Sequence, residues 1–365
     1  MTLRYRIRRA ALAALTVGAV LIGGGPSAPA APANYPTPQE GDWIARDFRF
    51  KNGAVMPELR LHYTTLGNPT GDVVVVLHGT AGSGKAMLTP AFAGELFGPG
   101  QPLDAATHRI ILPDALGAGA SAKPSDGLRM GFPEYTYDDM VAAQHRLLTE
   151  GLGITHVRLL LGHSMGGMHV WLWGATHPGF ADLLVPMAAQ PTAMSGRNWM
   201  MRRLLIESIR RDPDWNGGNY TNQPKGLAFA NLVFGTATNG GTLALQAAAP
   251  TREAADRLLE RRLAAPFEGD ANDALYQWNA SRDYDPSSAL GRITDPVLAI
   301  NAADDERNPP ETGVMARAMA AVARGSLHVI PASAETLGHS TTAFARFWKD
   351  RLAEALAATP RAPRP

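Results

Sequence analysis

One stretch decides the fold: residues 157–167, which read VRLLLGHSMGG. The run of leucines before Gly162 predicts a buried strand, and the apolar residues from Met168 to Ala175 predict a helix. Between them lies the pattern G-x-S-x-G, residues 162–166, which is typical of a serine held in a sharp turn from a strand into a helix. The glycines lack side chains, so the strand and the helix can pack closely. The sequence therefore predicts a strand, a tight turn and a helix, in that order.

Ser164 is the candidate nucleophile, because a strained turn pushes its hydroxyl out at the edge of the sheet. The free N–H groups at the start of the following helix favour negative charge near this hydroxyl. We therefore expect the Met165 N–H to be one oxyanion-hole donor. The alternative, an incidental serine in a glycine-rich turn, is disfavoured by the strand and the helix on either side.

Short apolar runs that predict strands recur along the chain and alternate with helix-length segments. An antiparallel hairpin is predicted from residues 44–50 and 59–65, around the turn residues Lys51, Asn52 and Gly53. Further strands and helices are predicted as follows: strands at 73–77, 109–113, 157–161, 183–187, 297–300 and 326–330, and helices at 137–149 and 342–357. Continuous apolar strands separated by helices predict an α/β fold, with a mostly parallel central sheet and helices on both faces.

Between about residues 190 and 285 the alternation fails, and helical segments rich in Arg, Ala and Leu take its place. We interpret this segment as a helical cap inserted into a core formed by about residues 34–189 and 286–358. Residues 34–365 are therefore expected to form a single catalytic domain. Three tryptophans of the cap either line a substrate pocket or pack its helices: Trp199, Trp215 and Trp278.

The first 33 residues have the order of a secretory signal peptide. Arginines within residues 4–9 precede an apolar run at 10–22, and a small-residue stretch at 26–33 offers A-x-A-like cleavage sites. The apolar run is shorter than the ~20 residues of a membrane-spanning helix, which disfavours the alternative of a retained anchor. We expect an exported protein, periplasmic or secreted, and the residues leave the general and twin-arginine export routes both open.

The charge balance is nearly even, with 34 basic and 33 acidic side chains and a formal net charge of +1. It gives no reason to expect nucleic acid as a partner, or a membrane after signal cleavage. The chain has no cysteine, which excludes disulfides, thiolate metal sites and a cysteine nucleophile. We expect no cofactor, no metal and a small-molecule acyl substrate, and a homodimer stays open.

A serine hydroxyl needs a general base, and the base needs a carboxylate that orients it. The strand predicted at 297–300 opens into a loop with Asp304 and Asp305, at the strand end that faces the cleft of a parallel sheet. His339 follows the strand predicted at 326–330 and is expected at the same edge. The order serine, aspartate, histidine is the one used by the α/β-hydrolase fold, and it leaves both aspartates open.

The loop after the strand predicted at 73–77 reads HGTAGSGKA, residues 78–86. His-Gly at this place is typical of an oxyanion loop, with the Thr80 N–H as second donor. The same residues nearly satisfy the phosphate-binding pattern G-x-x-x-x-G-K, but Ala86 stands where a magnesium-binding hydroxyl should be. Nucleotide binding is therefore only a rival hypothesis.

The chain resembles the homoserine O-acetyltransferase family over nearly the whole part that follows the predicted signal peptide. The similar segments are 162–168 (GHSMGGM), 212–220 (DPDWNGGNY), 98–104 (GPGQPLD) and 282–286 (RDYDP). The resemblance implies an α/β-hydrolase fold and a catalytic triad. The family's aspartate stands four residues before a Pro-Pro pair, which selects Asp305 and leaves Asp304 in reserve, so the triad is Ser164, Asp305 and His339.

Two departures from the family pattern bear on the substrate. The family commonly carries Leu-Thr-Gly in the oxyanion loop, where this chain has GTAG at residues 79–82, closer to ordinary ester hydrolases. The cap arginine of the homoserine enzymes falls at Ile206, so a homoserine carboxylate loses a partner unless Arg202 or Arg203 replaces it. Together with export away from acetyl-CoA, these departures favour a serine hydrolase of small esters. The alternative is an O-acyltransferase that passes the acyl group to an alcohol.

Overall fold

The computed structural model describes residues 33–362, where the chain forms one sheet with helices on both faces. The predicted signal peptide, residues 1–33, therefore lies outside the described residues except for Ala33. The strands are β1 (Gln39–Arg49), β2 (Val55–Gly67), β3 (Asp72–Leu77), β4 (His108–Pro113), β5 (Val157–His163), β6 (Ala181–Met187), β7 (Val297–Ala302) and β8 (Gly325–Ile330). The α-helices are α1 (Ala93–Leu96), α2 (Tyr137–Arg146), α3 (Met165–Thr176), α4 (Gly196–Arg210), α5 (Lys225–Thr238), α6 (Thr242–Ala248), α7 (Arg252–Ala264), α8 (Ala271–Asn279), α9 (Val314–Met319) and α10 (Lys349–Ala358).

The sheet is antiparallel at one edge and parallel elsewhere. Its strand order is β1-β2-β4-β3-β5-β6-β7-β8, in which β2 pairs antiparallel with β1 and β4, and every other pair is parallel. The carboxyl ends of the parallel strands meet at one edge of such a sheet. The loops after β3, β5, β7 and β8 can therefore contribute to one site.

Both faces of the sheet are buried, which is why its central strands read as continuous apolar runs. On β3, Val74 and Val76 pack into one hydrophobic cluster, whereas Val75 and Leu77 pack into the other. Alternate residues of a strand point to opposite faces, so each central strand contributes to both clusters. Helices α2 and α3 pack in one cluster and α1 and α10 in the other. The prediction of an α/β fold with helices on both faces is confirmed.

Five helices, α4 to α8, lie between β6 and β7, with no strand among them in the described structure. Helix α4 packs against α5 and α8, and it buries an apolar side that includes Leu205, Ile206 and Ile209. Met200 and Leu204 on its outer side are exposed. The helical insertion expected as part of this fold is therefore present. No helix within residues 33–362 has both the length and the apolar character that crossing a membrane requires.

The helix predicted at residues 342–357 begins only at Lys349, after two short 3-10 turns. Thr342 is bonded in another way: its hydroxyl lies 2.7 Å from His163 Nδ1, and its carbonyl oxygen accepts the Trp348 Nε1–H at 3.0 Å. These contacts fix a compact turn against the sheet. The α-helix starts where the turn ends.

Candidate active site

Ser164 lies at the turn between β5 and α3, where the G-x-S-x-G pattern predicts it. Its backbone angles, φ 56° and ψ −114°, are rare for a residue with a side chain. Close packing explains the glycines. A Cβ at Gly162 would lie 2.2 Å from the carbonyl oxygen of Gly166, and a Cβ at Gly166 would lie 2.3 Å from that of Leu77. The turn therefore places the serine at the carboxyl edge of the sheet, at the N-terminus of α3.

Three predicted residues meet at this edge of the sheet. His339 Nε2 lies 2.8 Å from Ser164 Oγ, and His339 Nδ1 lies 3.0 Å from each carboxylate oxygen of Asp305. All three side chains are buried. An imidazole held between a carboxylate and a hydroxyl can accept the hydroxyl proton, and it is stabilised by the carboxylate once it has done so.

The turn after β7 holds the Asp305 carboxylate in place. Its Oδ1 accepts hydrogen bonds from the N–H groups of Arg307 at 2.8 Å and Asn308 at 3.1 Å, and its Oδ2 accepts one from Asn308 Nδ2 at 3.0 Å. Asn308 Nδ2 also donates to the carbonyl oxygen of Ala188 at 2.9 Å. Asn308 was not predicted from the sequence. An asparagine three residues after an aspartate at a strand end is the signal that could have identified it.

Asp304, the reserve candidate, has different neighbours. Its Oδ2 accepts hydrogen bonds from Thr336 Oγ1 at 2.7 Å and from the Gly338 N–H at 3.3 Å. It therefore secures the loop that carries His339. The structure brings Asp305, and not Asp304, to the imidazole.

Electrostatics keep Asp305 ionised and His339 neutral. Burial opposes ionisation of Asp305, but His339 and the hydrogen bonds from Asn308 and Arg307 outweigh it and lower the pKa of Asp305 to about 2. Burial is also the main reason why the pKa of His339 lies below its usual 6.5. Asp305 raises that pKa in part, and Arg307 and Arg202 lower it. A neutral imidazole at neutral pH can accept a proton, as a general base must.

The two predicted oxyanion donors lie beside Ser164. Met165 is the first residue of α3, a position whose N–H is left free by the helix. Thr80 follows Gly79, where a Cβ would lie 3.5 Å from the Cβ of Ser164, so this loop touches the serine. Within residues 33–362 no acceptor is bonded to either N–H. N–H groups without a protein acceptor are the kind of donor that holds a negatively charged oxygen in an oxyanion hole.

A residue that the sequence did not indicate, Gln277, supports the oxyanion loop from α8. Its Oε1 accepts the Ala81 N–H at 2.9 Å, and its Nε2 donates to the Gly117 carbonyl oxygen at 2.5 Å. Ala81 has a φ of 61°, an unfavourable conformation that surrounding contacts must hold. Gln277 stands 196 residues from Ala81 along the chain, so no local spacing predicts this contact.

The structure shows neither a phosphate loop nor a metal cluster in its described part. Residues 79–85 are followed by a single 3-10 turn, Lys85–Met87, and not by an α-helix. Lys85 forms an ion pair with Glu40. A phosphate loop needs a helix N-terminus and an available lysine, so nucleotide binding has no support here. No three histidine, aspartate or glutamate side chains of residues 33–362 are grouped to hold a metal ion.

The cap is tied to the loop that carries His339. The Glu306 carboxylate accepts the N–H of Gly241 at 2.8 Å and the N–H of His339 at 3.2 Å. Asn239 accepts the Ser340 N–H at 2.9 Å and its Nδ2 donates to the Ser340 hydroxyl at 2.7 Å. The segment from Asn239 to Gly241, which we call the cap clamp, therefore shares one hydrogen-bond network with His339.

The contacts of two cap tryptophans lie within the cap. The Trp278 ring packs on the Phe234 ring at 4.6 Å between centroids, and Trp215 Nε1 donates to Asn272 Oδ1 at 2.9 Å. Trp199 is partly buried. Trp278 and Trp215 therefore pack cap segments against one another. Of the two interpretations that the sequence offered for these residues, a pocket wall or helix packing, these contacts agree with helix packing.

The sequence also matches known proteins. The sequence model of the alpha/beta hydrolase fold family matches residues 72–332. The homoserine O-acetyltransferase of Chlorobium chlorochromatii is 37% identical over 199 residues, which are 50% of this chain and 53% of that enzyme. The chain thus spans about half the length of this curated relative.

Solved structures agree with the fold. A homoserine O-acetyltransferase from Bacillus anthracis has a TM-score of 0.76 at 20% identity, with 89% of this chain and 99% of that chain covered. An acetylester hydrolase from Corynebacterium glutamicum has a TM-score of 0.74 at 21% identity, with 88% and 96% covered. Acyltransferases and ester hydrolases thus share this architecture. Since the family match extends over most of the sheet and the whole cap, the chain belongs to the alpha/beta hydrolase fold family.

Proposed function

We propose that the chain is a serine hydrolase that cleaves a small ester through an acyl-enzyme on Ser164. The observation that carries this proposal is the 2.8 Å contact between Ser164 Oγ and His339 Nε2. The ionised Asp305 on the other ring nitrogen supports it, because a carboxylate there orients the imidazole and stabilises its protonated form. Hydrolase and acyltransferase relatives both fit a serine that takes up an acyl group.

The proposed reaction has two halves. Ser164 Oγ attacks the ester carbonyl carbon while His339 Nε2 takes the hydroxyl proton, and the N–H groups of Met165 and Thr80 bind the oxyanion. His339 then gives this proton to the leaving alcohol as the C–O bond breaks. In the second half His339 removes a proton from water, which attacks the acyl-enzyme, and the acid departs as Ser164 recovers its proton. Asp305 stays ionised throughout.

Water is the proposed acyl acceptor. Two expectations support this choice: the proposed export of the chain, which would separate it from acetyl-CoA, and Ile206 at the place of the cap arginine of the homoserine enzymes. An O-acyltransferase with an alcohol acceptor is the second candidate, and the 37% identity to the Chlorobium chlorochromatii enzyme favours it. The two candidates share the acyl-enzyme and differ in its second half.

Rapid mixing with 4-nitrophenyl acetate tests the proposal, using the chain from residue 34 onward. We expect a burst of 4-nitrophenol and then steady turnover in water, and a loss of about 10³-fold or more in Ser164→Ala. Ser195→Ala, which changes an exposed serine, serves as the control with unchanged turnover. A burst that stalls until an alcohol is added identifies the acyltransferase. Turnover that survives in Ser164→Ala contradicts both candidates.

A further inference from the structure

His78, the first residue after β3, begins the oxyanion loop and has both of its ring nitrogens bonded. It is 2% exposed. Its Nε2 lies 2.9 Å from the backbone nitrogen of Ala115, and its Nδ1 lies 2.8 Å from the carbonyl oxygen of Gly79. Neither nitrogen is left to contact a substrate, so His78 cannot be a second general base. Its role depends on the two backbone groups that it holds.

These two partners determine which nitrogen of His78 carries the proton. The Ala115 N–H can only donate, so Nε2 must be the unprotonated nitrogen that accepts it. Burial lowers the pKa of His78 and favours the neutral ring, although Asp114 and the bond to Gly79 oppose this shift. A neutral imidazole has one N–H group, which is therefore on Nδ1. This N–H donates to the carbonyl oxygen of Gly79.

The bond from His78 to Gly79 orients a whole peptide group. The carbonyl group of Gly79 and the N–H of Thr80 belong to one planar peptide unit, which is trans. In a trans peptide the carbonyl oxygen and the N–H point in opposite directions. Because His78 fixes the direction of the carbonyl, it also fixes the direction of the Thr80 N–H. That N–H is the second of the two expected oxyanion donors.

His78 anchors this peptide to the sheet. The Gly82 N–H also donates to the Gly79 oxygen, at 3.1 Å, but this bond joins two residues of the same loop. The bond from His78 to Ala115, two residues after β4, connects the loop to the strand next to β3. Gly82 packs on the histidine, since a Cβ there would lie 3.3 Å from His78 Nδ1. In the described structure, no other group is bonded to the Gly79 oxygen.

The direction of this peptide matters for the proposed reaction. A peptide that turns over presents its carbonyl oxygen where its N–H was, so a partial negative charge would face the oxyanion. Loss of one oxyanion donor costs about 10²- to 10³-fold in kcat. Gln277 holds only the next N–H of the loop, that of Ala81. The Gly79–Thr80 peptide therefore depends on His78 and on the turn closed by Gly82.

We propose that His78 is a positioning residue of the oxyanion hole. Its Nδ1–H holds the Gly79–Thr80 peptide so that the Thr80 N–H faces the oxygen that becomes negative when Ser164 attacks. This inference rests on the proposed function and assigns a role in it to a residue outside the triad. His78 acts through the peptide and touches no reacting atom. Its loss should weaken binding of the transition state and leave binding of the substrate nearly unchanged.

Two substitutions separate the two hydrogen bonds of His78. The amide nitrogen of an asparagine reaches the place of Nδ1 and can donate to Gly79, whereas the amide oxygen of a glutamine reaches the place of Nε2 and can accept only the Ala115 N–H. With 4-nitrophenyl acetate we expect His78→Gln to lower kcat by about 10- to 10²-fold at nearly constant KM, because the Gly82 N–H still holds the peptide in part. His78→Asn should stay within about threefold of the wild type.

Trifluoroacetone gives a second readout, because Ser164 Oγ adds to its carbonyl carbon and the resulting oxyanion uses the same donors. Its inhibition constant should rise in His78→Gln by about the factor by which kcat falls, and it should change little in His78→Asn. A general loss of packing would instead raise KM and impair both variants alike, and that result overturns the inference. Full activity of His78→Gln overturns it as well.

The wild type offers a test that does not require either variant to fold. In NMR spectra of the protein labelled at its histidine nitrogens, His78 is assigned through its contacts with Gly79 and Ala115. At neutral pH its ring should be uncharged with the proton on Nδ1, and a proton on Nε2 overturns the inference. If hydrolysis of 4-nitrophenyl acetate does not depend on Ser164, the proposed function itself is overturned. If it does and the two His78 variants behave alike, only the role of His78 is wrong.

Discussion

Replacing Asp305 by asparagine exchanges one oxygen for an amino group and keeps the shape of the side chain. Oδ1 accepts two backbone N–H groups, those of Arg307 and Asn308, so the amide oxygen of the variant must stay there. The new amino group then occupies the place of Oδ2, where it faces His339 Nδ1 and Asn308 Nδ2. Asn308 keeps its amino group there, because the same Nδ2 donates to the carbonyl oxygen of Ala188. His339 Nδ1 still has the amide oxygen at the Oδ1 place 3.0 Å away, but it now also faces an N–H donor at 3.0 Å, which favours loss of its own proton.

The imidazole of the variant therefore shifts toward the tautomer that carries its proton on Nε2, the nitrogen that faces Ser164, and in that tautomer it cannot accept the serine proton. Loss of the correct tautomer in a serine triad costs about 10⁴-fold in kcat, or roughly 5 kcal/mol of transition-state stabilisation. We expect Asp305→Asn to lower kcat for 4-nitrophenyl acetate by about 10³- to 10⁴-fold with little change in KM. Steady-state kinetics at pH 7.5 measure this, and urea denaturation confirms that the variant is folded.

Asp304→Asn is the control for this experiment. In the wild type, Asp304 Oδ2 accepts hydrogen bonds from Thr336 and Gly338, and the amide oxygen of the variant can accept both. We expect less than about a 10-fold change in kcat, because the imidazole keeps its carboxylate. If Asp304→Asn is inactive and a folded Asp305→Asn retains more than about a tenth of the wild-type kcat, the reasoning on the tautomer is refuted.

Three further predictions concern pH and the cap. Because burial lowers the pKa of His339, the acid limb of the pH profile of kcat/KM should have its midpoint below pH 6.5. Arg307→Gln removes a positive charge near the imidazole and should move that midpoint upward. The pH profiles of the wild type and the variant check this, and a downward shift in Arg307→Gln would contradict the expectation. Burial lowers the pKa of His169 to about 3, so the unfolded state binds a proton on this imidazole more readily than the folded state does. The free energy of unfolding should therefore fall below pH 6.5, by up to about 1.4 kcal/mol per pH unit, until the folded state is protonated too. Urea denaturation at pH 6.5 and 4.5 should show a smaller loss of stability in a folded His169→Gln than in the wild type, and an equal loss would exclude this contribution. Gln277→Ala removes the acceptor of the Ala81 N–H and should lower kcat by about 10-fold with KM nearly constant. This effect is smaller than the loss of an oxyanion donor itself. An unchanged kcat would show that the oxyanion loop holds its shape without Gln277.

The sequence predicted those parts of the molecule that depend on local patterns. The G-x-S-x-G turn needs a strand, two glycines and a helix within about 20 residues, and all of these are local features. The central strands were equally predictable, since burial on both faces makes each one a continuous apolar run. His339 could be placed at the correct edge because the carboxyl ends of parallel strands meet there.

Contacts between distant segments were not predictable in this way. Residue order alone left Asp304 and Asp305 equivalent. Only the resemblance to a family favoured Asp305, and the hydrogen bonds of the turn show why its carboxylate can reach the imidazole. The contact of Gln277 with Ala81 depends on how the cap folds back over the sheet. The start of α10 was misplaced because hydrogen bonds to Thr342 compete with those of a helix.

The cap clamp connects the cap to the proposed base through one set of hydrogen bonds. Any motion that lifts the segment from Asn239 to Gly241 removes its hydrogen bonds to Glu306, which also accepts the His339 N–H, and to Ser340, the residue after His339. Such a motion would loosen the loop that holds the imidazole 2.8 Å from Ser164 Oγ. Under the proposed mechanism, we therefore expect bond cleavage to be fastest while the hydrogen bonds of the cap clamp are intact.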